Sequence, residues 1–256
     1  MDEKLNFLIE FLLNEMPEYK DDAENFDDKK ILLRSLMNVR PPKKLDPEFL
    51  KVQDEFLSRE ARLKGIIHAD ELEEIQPGIS IWQGDITRLD SDAIVNAANE
   101  KLLGCFVPCH RCIDNAIHSA AGLQLRDECN EIMKAQGHDE PTGSAKITRA
   151  YNLPSKFVIH TVGPRVFAEV NNFYRAELDS CYNSCLELAN EKNLKSLAFC
   201  CISTGEFHFP NDEAAKIAVK TVREFLSRNQ NRSLKKIIFN VFKDLDLKIY
   251  ERELKN

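Results

Sequence analysis

Asp92-Ala93-Ile94-Val95-Asn96-Ala97-Ala98-Asn99 is the stretch on which the fold turns. Ala93, Ile94 and Val95 are apolar at successive positions, the pattern of a strand covered on both faces of a sheet. The run turns polar at Asn96 and Asn99, at the carboxyl end where open parallel sheets bind their ligands. Comparable short apolar runs lie at Ile79–Gln83, 93–97, Phe157–Val162, 197–202 and 236–242, with a weaker one at 145–150. Helical patterns separate them at about 113–136, 173–192, 212–228 and 245–255. Strands alternating with helices predict an α/β fold of three layers, α/β/α, around a mostly parallel central sheet. Three polar segments fall at strand ends: Gly84-Asp85-Ile86-Thr87, Asn96 to Asn99, and Ser203-Thr204-Gly205-Glu206-Phe207. One site is expected where they converge.

Just beyond Asn99 comes Gly104-Cys105-Phe106-Val107-Pro108-Cys109-His110-Arg111-Cys112-Ile113-Asp114-Asn115. Thiols and an imidazole at this density suit Zn²⁺, with Cys105, His110 and Cys112 as the expected ligands and one zinc per chain. Three protein ligands leave the fourth tetrahedral position open, the arrangement of catalytic zinc. Cys109 is the extra thiol; as a fourth ligand it would close the site. The plain alternative is a loop of reduced thiols.

Residues 1–76 read as a helical extension and 77–256 as the α/β domain. Leu5, Leu8, Phe11 and Leu12 share one helical face. Ile31, Leu32, Ser35 and Leu36 open a second helix that stops before Pro41-Pro42. A third starts at Asp46-Pro47-Glu48 and closes at Gly65, with Phe49, Val52, Phe56 and Leu63 as its apolar stripe. The extension holds 19 Asp/Glu against 12 Lys/Arg, whereas the other 180 residues hold 23 of each, so the net charge of −7 belongs to the extension. No basic stripe with interleaved aromatics points to nucleic acid. No apolar run is long enough for a membrane span. Met1-Asp2-Glu3-Lys4 lacks the features of a signal peptide, and Cys200-Cys201, with Cys181 and Cys185, do not resemble a disulfide framework. A cytoplasmic protein is expected.

The strand-end segments, with Gly143-Ser144-Ala145-Lys146-Ile147-Thr148 and Ile159-His160-Thr161-Val162-Gly163-Pro164, resemble the macrodomain family over about residues 77–256. That resemblance implies a fold that binds ADP-ribose. The chain resembles the MacroD-type ADP-ribosyl hydrolases, except that the Cys/His loop before Asp114 stands where they carry a run of glycines before a catalytic aspartate. With the helical extension, this is similar to the zinc-dependent microbial macrodomains, which are associated with sirtuin-type transferases and act as protein-ADP-ribose hydrolases.

The resemblance also implies residue roles. Asp85 would accept from the adenine amino group, with the Ile86 amide nearby, although a turn-capping role is open to it. Asn99 would hold the distal ribose, whereas Asn96 would brace the loop. Ser203, Thr204, Gly205 and Glu206 would wrap the diphosphate, helped by the next helix N-terminus. Phe207 would pack on the distal ribose, and Phe242 would either cover adenine or fill the core. Asp114 would act with Asn99 in catalysis, a helix-capping role being its plain alternative. His118 is expected to pack, and His208 to face solvent. The implied function is zinc-dependent removal of mono-ADP-ribose from modified proteins, at carboxylate linkages, with zinc activating water or polarising a substrate oxygen. A non-catalytic ADP-ribose reader and an O-acetyl-ADP-ribose deacetylase are the other readings.

Overall fold

Strand β3 (Ala93–Ala98) lies inside a seven-stranded sheet in the computed structural model, which describes residues 2–230 and 232–255. The other strands are β1 (Glu74–Gln76), β2 (Ile79–Gln83), β4 (Ala145–Arg149), β5 (Phe157–Val162), β6 (Ser196–Phe199) and β7 (Lys236–Val241). Their order is β1-β2-β7-β6-β3-β5-β4. The five central strands run parallel, and β1 and β4 are antiparallel edges. All six residues of β7 and all four of β6 are buried, which fits the successive apolar residues 237–239 and 197–199 within them.

Helices α1 (Asp2–Glu15), α2 (Lys20–Ala23), α3 (Lys29–Val39) and α4 (Pro47–Lys64) precede the sheet. Helices α5 (Ile113–Ala121), α6 (Leu123–Gln136), α7 (Asn172–Glu191), α8 (Asn211–Arg228) and α9 (Asp244–Lys255) flank it. Packing of α5 on β3 and α6 on β4 covers one part, while α7, α8 and α9 pack side by side over β4, β5, β2 and β7. Among the described residues no helix is long and apolar enough to cross a membrane. All eight cysteines are free.

Caps set the helix starts where they were expected. Asp46 accepts from the amides of Glu48 and Phe49 ahead of α4, and Gly65 closes that helix at φ 81°. Three boundaries differ from the sequence expectation. The helix expected over 113–136 is two helices, broken at Gly122, whose φ of 99° no helix admits. The run 197–202 leaves the sheet after Phe199, because Cys200 and Cys201 turn into the loop before α8. Strand β1 lies in the stretch taken as wholly helical; only three residues long and mostly exposed, it has no alternation to read. Within α4, Leu63 is 65% exposed and is no part of the buried stripe.

The helices of the extension bury a second core, built on Leu8, Leu12, Leu33, Leu36, Phe49 and Phe56, which Leu123 of α6 joins. Arg126, also on α6, crosses the seam between the two cores at 3% exposure. Its guanidinium donates to the carbonyls of Leu103 (2.7 Å), Met37 (3.0 Å) and Arg40. Burial lowers its pKa to about 10, still far above neutrality. Arg126→Met strands three buried carbonyls, so unfolding should require about 2–4 kcal/mol less. The check is urea denaturation, where the midpoint should fall with the slope unchanged.

Candidate functional site

At the end of β2, Asp85 caps the short 3₁₀ turn Ile86–Arg88. Its Oδ1 accepts from the Thr87 amide (3.0 Å) and hydroxyl (2.7 Å). Its Oδ2 lies 3.7 Å from Lys64 Nζ of α4. The capping role and an outward-facing acceptor therefore coexist on one carboxylate. Ile86 is buried beneath this turn, only 1% of the residue being exposed. Asn240, buried in β7, donates to the carbonyls of Trp82 (3.3 Å) and Gly84 (3.0 Å) and so fixes the turn that presents Asp85. Phe242 follows β7 with its ring 74% exposed, which removes the core-filling alternative.

The loop after β6 is the segment expected to meet the diphosphate. Thr204 Oγ1 bonds back to the Cys201 carbonyl, and the amides of His208 and Phe209 bond to Gly205 and Ser203. The amides of residues 204–207 donate to no protein acceptor among the described residues. Four N–H groups without a protein acceptor are donors available to negative charge. Around Gly205 there is open space, so backbone can approach a ligand there. Phe207 is half-buried, with the Arg165 guanidinium 5.9 Å from its ring, and His208 is exposed. The first turn of α8 carries Asp212 and Glu213, paired with Arg252 and Arg175.

The reacting end lies where β3 meets α5. Asn99 donates to Asp114 Oδ2 (3.3 Å) and to the Gly104 carbonyl (3.1 Å), and accepts from the Lys101 amide (3.0 Å). Asn96 donates to Asp114 Oδ1 (2.8 Å), so the two asparagines hold one carboxylate from both sides. Asp114 does not cap α5; the Cys112 Sγ does, accepting from the Asn115 amide at 3.4 Å. Burial pushes the Asp114 carboxyl up to about 6, against the Asn96 hydrogen bond and the Arg126 charge, which favour the ionised form. His118 packs beneath, 3.5 Å from Asp114, and burial keeps it neutral.

The donor atoms of Cys105, His110 and Cys112 all lie within 4.8 Å of one another. Cys105 Sγ is 3.6 Å from His110 Nδ1. Burial pushes the Cys112 thiol up to about 12, against the Asn115 amide that bonds its sulfur and with the help of the Cys105 thiol beside it. Two sulfurs and one imidazole nitrogen of this spacing fit the soft tetrahedral preference of zinc. Cys109 does not belong to this group; its sulfur faces Ser35 Oγ (3.3 Å) and the Ile31 carbonyl on α3.

Loops gathered at the carboxyl ends of β2, β3 and β6, on a mixed sheet with helices on its flanks, define the class to which comparison with known proteins assigns the chain. A macro domain family model matches residues 95–218. A protein-ADP-ribose hydrolase of Treponema medium is 50% identical over 256 residues, covering 98% of this chain and 97% of that protein. One from Staphylococcus aureus is 47% identical over 254 residues, with 95% and 93% covered. The Oceanobacillus iheyensis macrodomain with ADP superposes at a TM-score of 0.64 and 38% identity, over 72% of this chain and 94% of its own. The Trypanosoma brucei macrodomain in complex with ADP-ribose gives 0.66 at 30% identity, over 85% and 94%. The chain belongs to the macro domain family.

Sequence reasoning did not single out Asn115, Asn240 or Arg126, or His160 beyond its place in a motif. Each acts by being buried, and burial of a lone polar residue leaves no local pattern. His160 is the clearest case. Asn96 donates to its Nδ1 (3.2 Å), which leaves Nε2–H for Thr148 Oγ1 at 2.9 Å. Desolvation lowers its pKa to about 3. In the unfolded chain it titrates near 6.5. Below that pH the unfolded state binds a proton that the folded state refuses, so stability falls as pH drops from about 6.5 toward 3. This residue alone contributes a slope of about 1.4 kcal/mol per pH unit. His160→Gln should flatten the acid limb of a stability–pH curve by that amount, read from denaturant midpoints at pH 5 and 7.

Proposed function

We propose that this protein is a zinc-dependent hydrolase that removes mono-ADP-ribose from carboxylate side chains of modified proteins. The observation that carries the proposal is the joining of Asn99 to Asp114 beside three convergent metal donors. They lie just beyond the carboxyl end of β3, and related macrodomains are named as solved with ADP and in complex with ADP-ribose. The full-length similarity to proteins named protein-ADP-ribose hydrolase supports hydrolysis as the outcome.

In this scheme the adenine amino group donates to the outward oxygen of Asp85, and Phe242 stacks on the ring. The free amides of residues 204–207 hold the diphosphate, and Phe207 supports the distal ribose. Asn99 can donate and accept at once, which suits a vicinal diol. Asp114, fixed by both asparagines, orients the ribose hydroxyl next to the scissile bond and accepts its hydrogen bond. Cys105, His110 and Cys112 hold one Zn²⁺, which supplies Lewis-acid stabilisation of charge developing on oxygen. The modification removed would be one installed by a sirtuin-type transferase.

Purified protein should hold close to one zinc per chain. Cys105→Ala, His110→Ala and Cys112→Ala should each lose it, while Cys109→Ala keeps it. Metal analysis decides, and loss of zinc from Cys109→Ala would replace the open site by a closed one. Chelation should abolish release of ADP-ribose while melting stays cooperative, because the metal ties one loop and the sheet core does not need it.

Asn99→Ala and Asp114→Ala should slow single-turnover release about 10²–10⁴-fold and leave ADP-ribose affinity within about tenfold of wild type. Asp85→Ala should weaken that affinity about tenfold or more through loss of a charge-assisted bond. These are read by calorimetry beside turnover on acceptors modified at Glu or Asp and, for comparison, at Arg or Ser. Zinc-loaded wild type that binds modified acceptor and releases nothing is a reader, and the hydrolase fails.

A further inference from the structure

The loop bearing Cys105, His110 and Cys112 has little hydrogen bonding of its own: between Gly104 and Ile113 the one backbone bond is His110 N to the Val107 carbonyl. It is held from outside instead. Asn115, fully buried on α5, donates to the carbonyls of Val107 (3.0 Å) and Cys105 (3.4 Å). The acceptor side of the same amide takes both Arg34 Nη2 (2.7 Å) and Arg34 Nε (3.2 Å), and Arg34 Nη2 also reaches the His110 carbonyl at 3.4 Å. One turn further along each helix, Asn38 donates to Ser119 Oγ (2.9 Å) and accepts from the Cys109 amide (2.9 Å). Positions 34 and 38 on α3, and 115 and 119 on α5, are both i, i+4 pairs, so two helix faces meet in one polar seam.

Cys109 sits in the left-handed region at φ 50°, a conformation that a non-glycine residue keeps only when its surroundings impose it. What imposes it is α3: Asn38 holds its amide, and Ser35 with the Ile31 carbonyl holds its sulfur. A third thiolate within the same eight residues would otherwise compete for the fourth metal position, and a site with four protein ligands is closed to substrate.

We propose that α3 is a working part of the active site. Arg34 and Asn38 are positioning residues that hold the metal loop in the form where Cys105, His110 and Cys112 converge, and that keep Cys109 out of the set. This gives the N-terminal extension a role in the chemistry of a domain to which it contributes no ligand. The proposal rests on the metal reading above in its spectroscopic test, but not in its exchange test.

Both tests use full-length wild type, Arg34→Ala, Asn38→Ala and the double variant Asn38→Ala/Cys109→Ser, each first shown to melt cooperatively. In hydrogen exchange, amides of residues 105–112 should exchange about tenfold faster in Asn38→Ala and Arg34→Ala, the effect of losing one buried bond. With Co²⁺ in place of zinc, wild type should show the charge-transfer absorption of two thiolates. In Asn38→Ala it should rise by about one half as Cys109 joins the metal, and the double variant should return to the wild-type value. If Asn38→Ala does not fold, Arg34→Ala, at a half-buried position, carries the same two measurements. Exchange and spectra unchanged in both single variants overturn the proposal, as does a three-thiolate spectrum in wild type. Should wild type take up no cobalt, the metal reading fails, and the exchange comparison alone decides whether α3 holds the loop.

Discussion

A carboxylate only 5% exposed must be given donors before the chain can fold around it, and most of this site follows from that demand at Asp114. An unpaired buried charge costs several kcal/mol. Asn96 is in β3 and Asn99 is one residue beyond its end, so the strand delivers two amides to the same carboxyl group. The bases beneath it, His118 and His160, are neutral because they are buried as well, which leaves Arg126 as the compensating charge. Gly104 completes the enclosure at φ 78°, where a side chain would strike the His118 ring at 2.8 Å. The carboxyl group is thus wrapped rather than solvated, and its surroundings raise its proton affinity without any acidic neighbour.

The site divides into parts of different stiffness. Asp85 and residues 204–207 are attached directly to strand ends of the central sheet, and Asn240 ties the Asp85 turn to β7. The metal loop has no such attachment and borrows its order from Asn115 and α3. Charge follows the same division. The extension holds the whole net negative charge, yet Arg34 reaches Asn115 and Lys64 reaches Asp85, so two of its cations lie against candidate site elements.

The fold was legible because its signal is repetitive: successive apolar residues in β2, β3, β5 and β7, separated by amphipathic helices, leave little choice of architecture. The edge strand β1 was not, since three exposed residues carry no period. In the site, Asp85, Asn99 and Asp114 are visible as polar residues at the ends of apolar runs, and the Cys/His spacing marks the loop. Asn115 and Arg34 are invisible by the same logic. One is an asparagine inside a helix and the other an arginine in an acidic segment, and only the packing of α3 on α5 brings them within 2.7 Å. The loop 203–207 was legible as a polar run after an apolar strand, whereas the pairing of Asp212 and Glu213 in the first turn of α8 with distant arginines was not.

The two halves of the site touch at one place. His110 Nε2, from the Cys/His loop, lies 3.7 Å from Glu206 Oε1, from the loop after β6. His110 Nδ1 faces Cys105, so on the proposed reading one ring nitrogen meets the metal set and the other a carboxylate. On that reading the carboxylate would help orient the imidazole from its second nitrogen. The pairing also places an exposed carboxylate beside four free amides that favour negative charge. The contact ties the loop after β6 to the Cys/His loop through a single side-chain pair, so neither loop can shift without giving up that pairing.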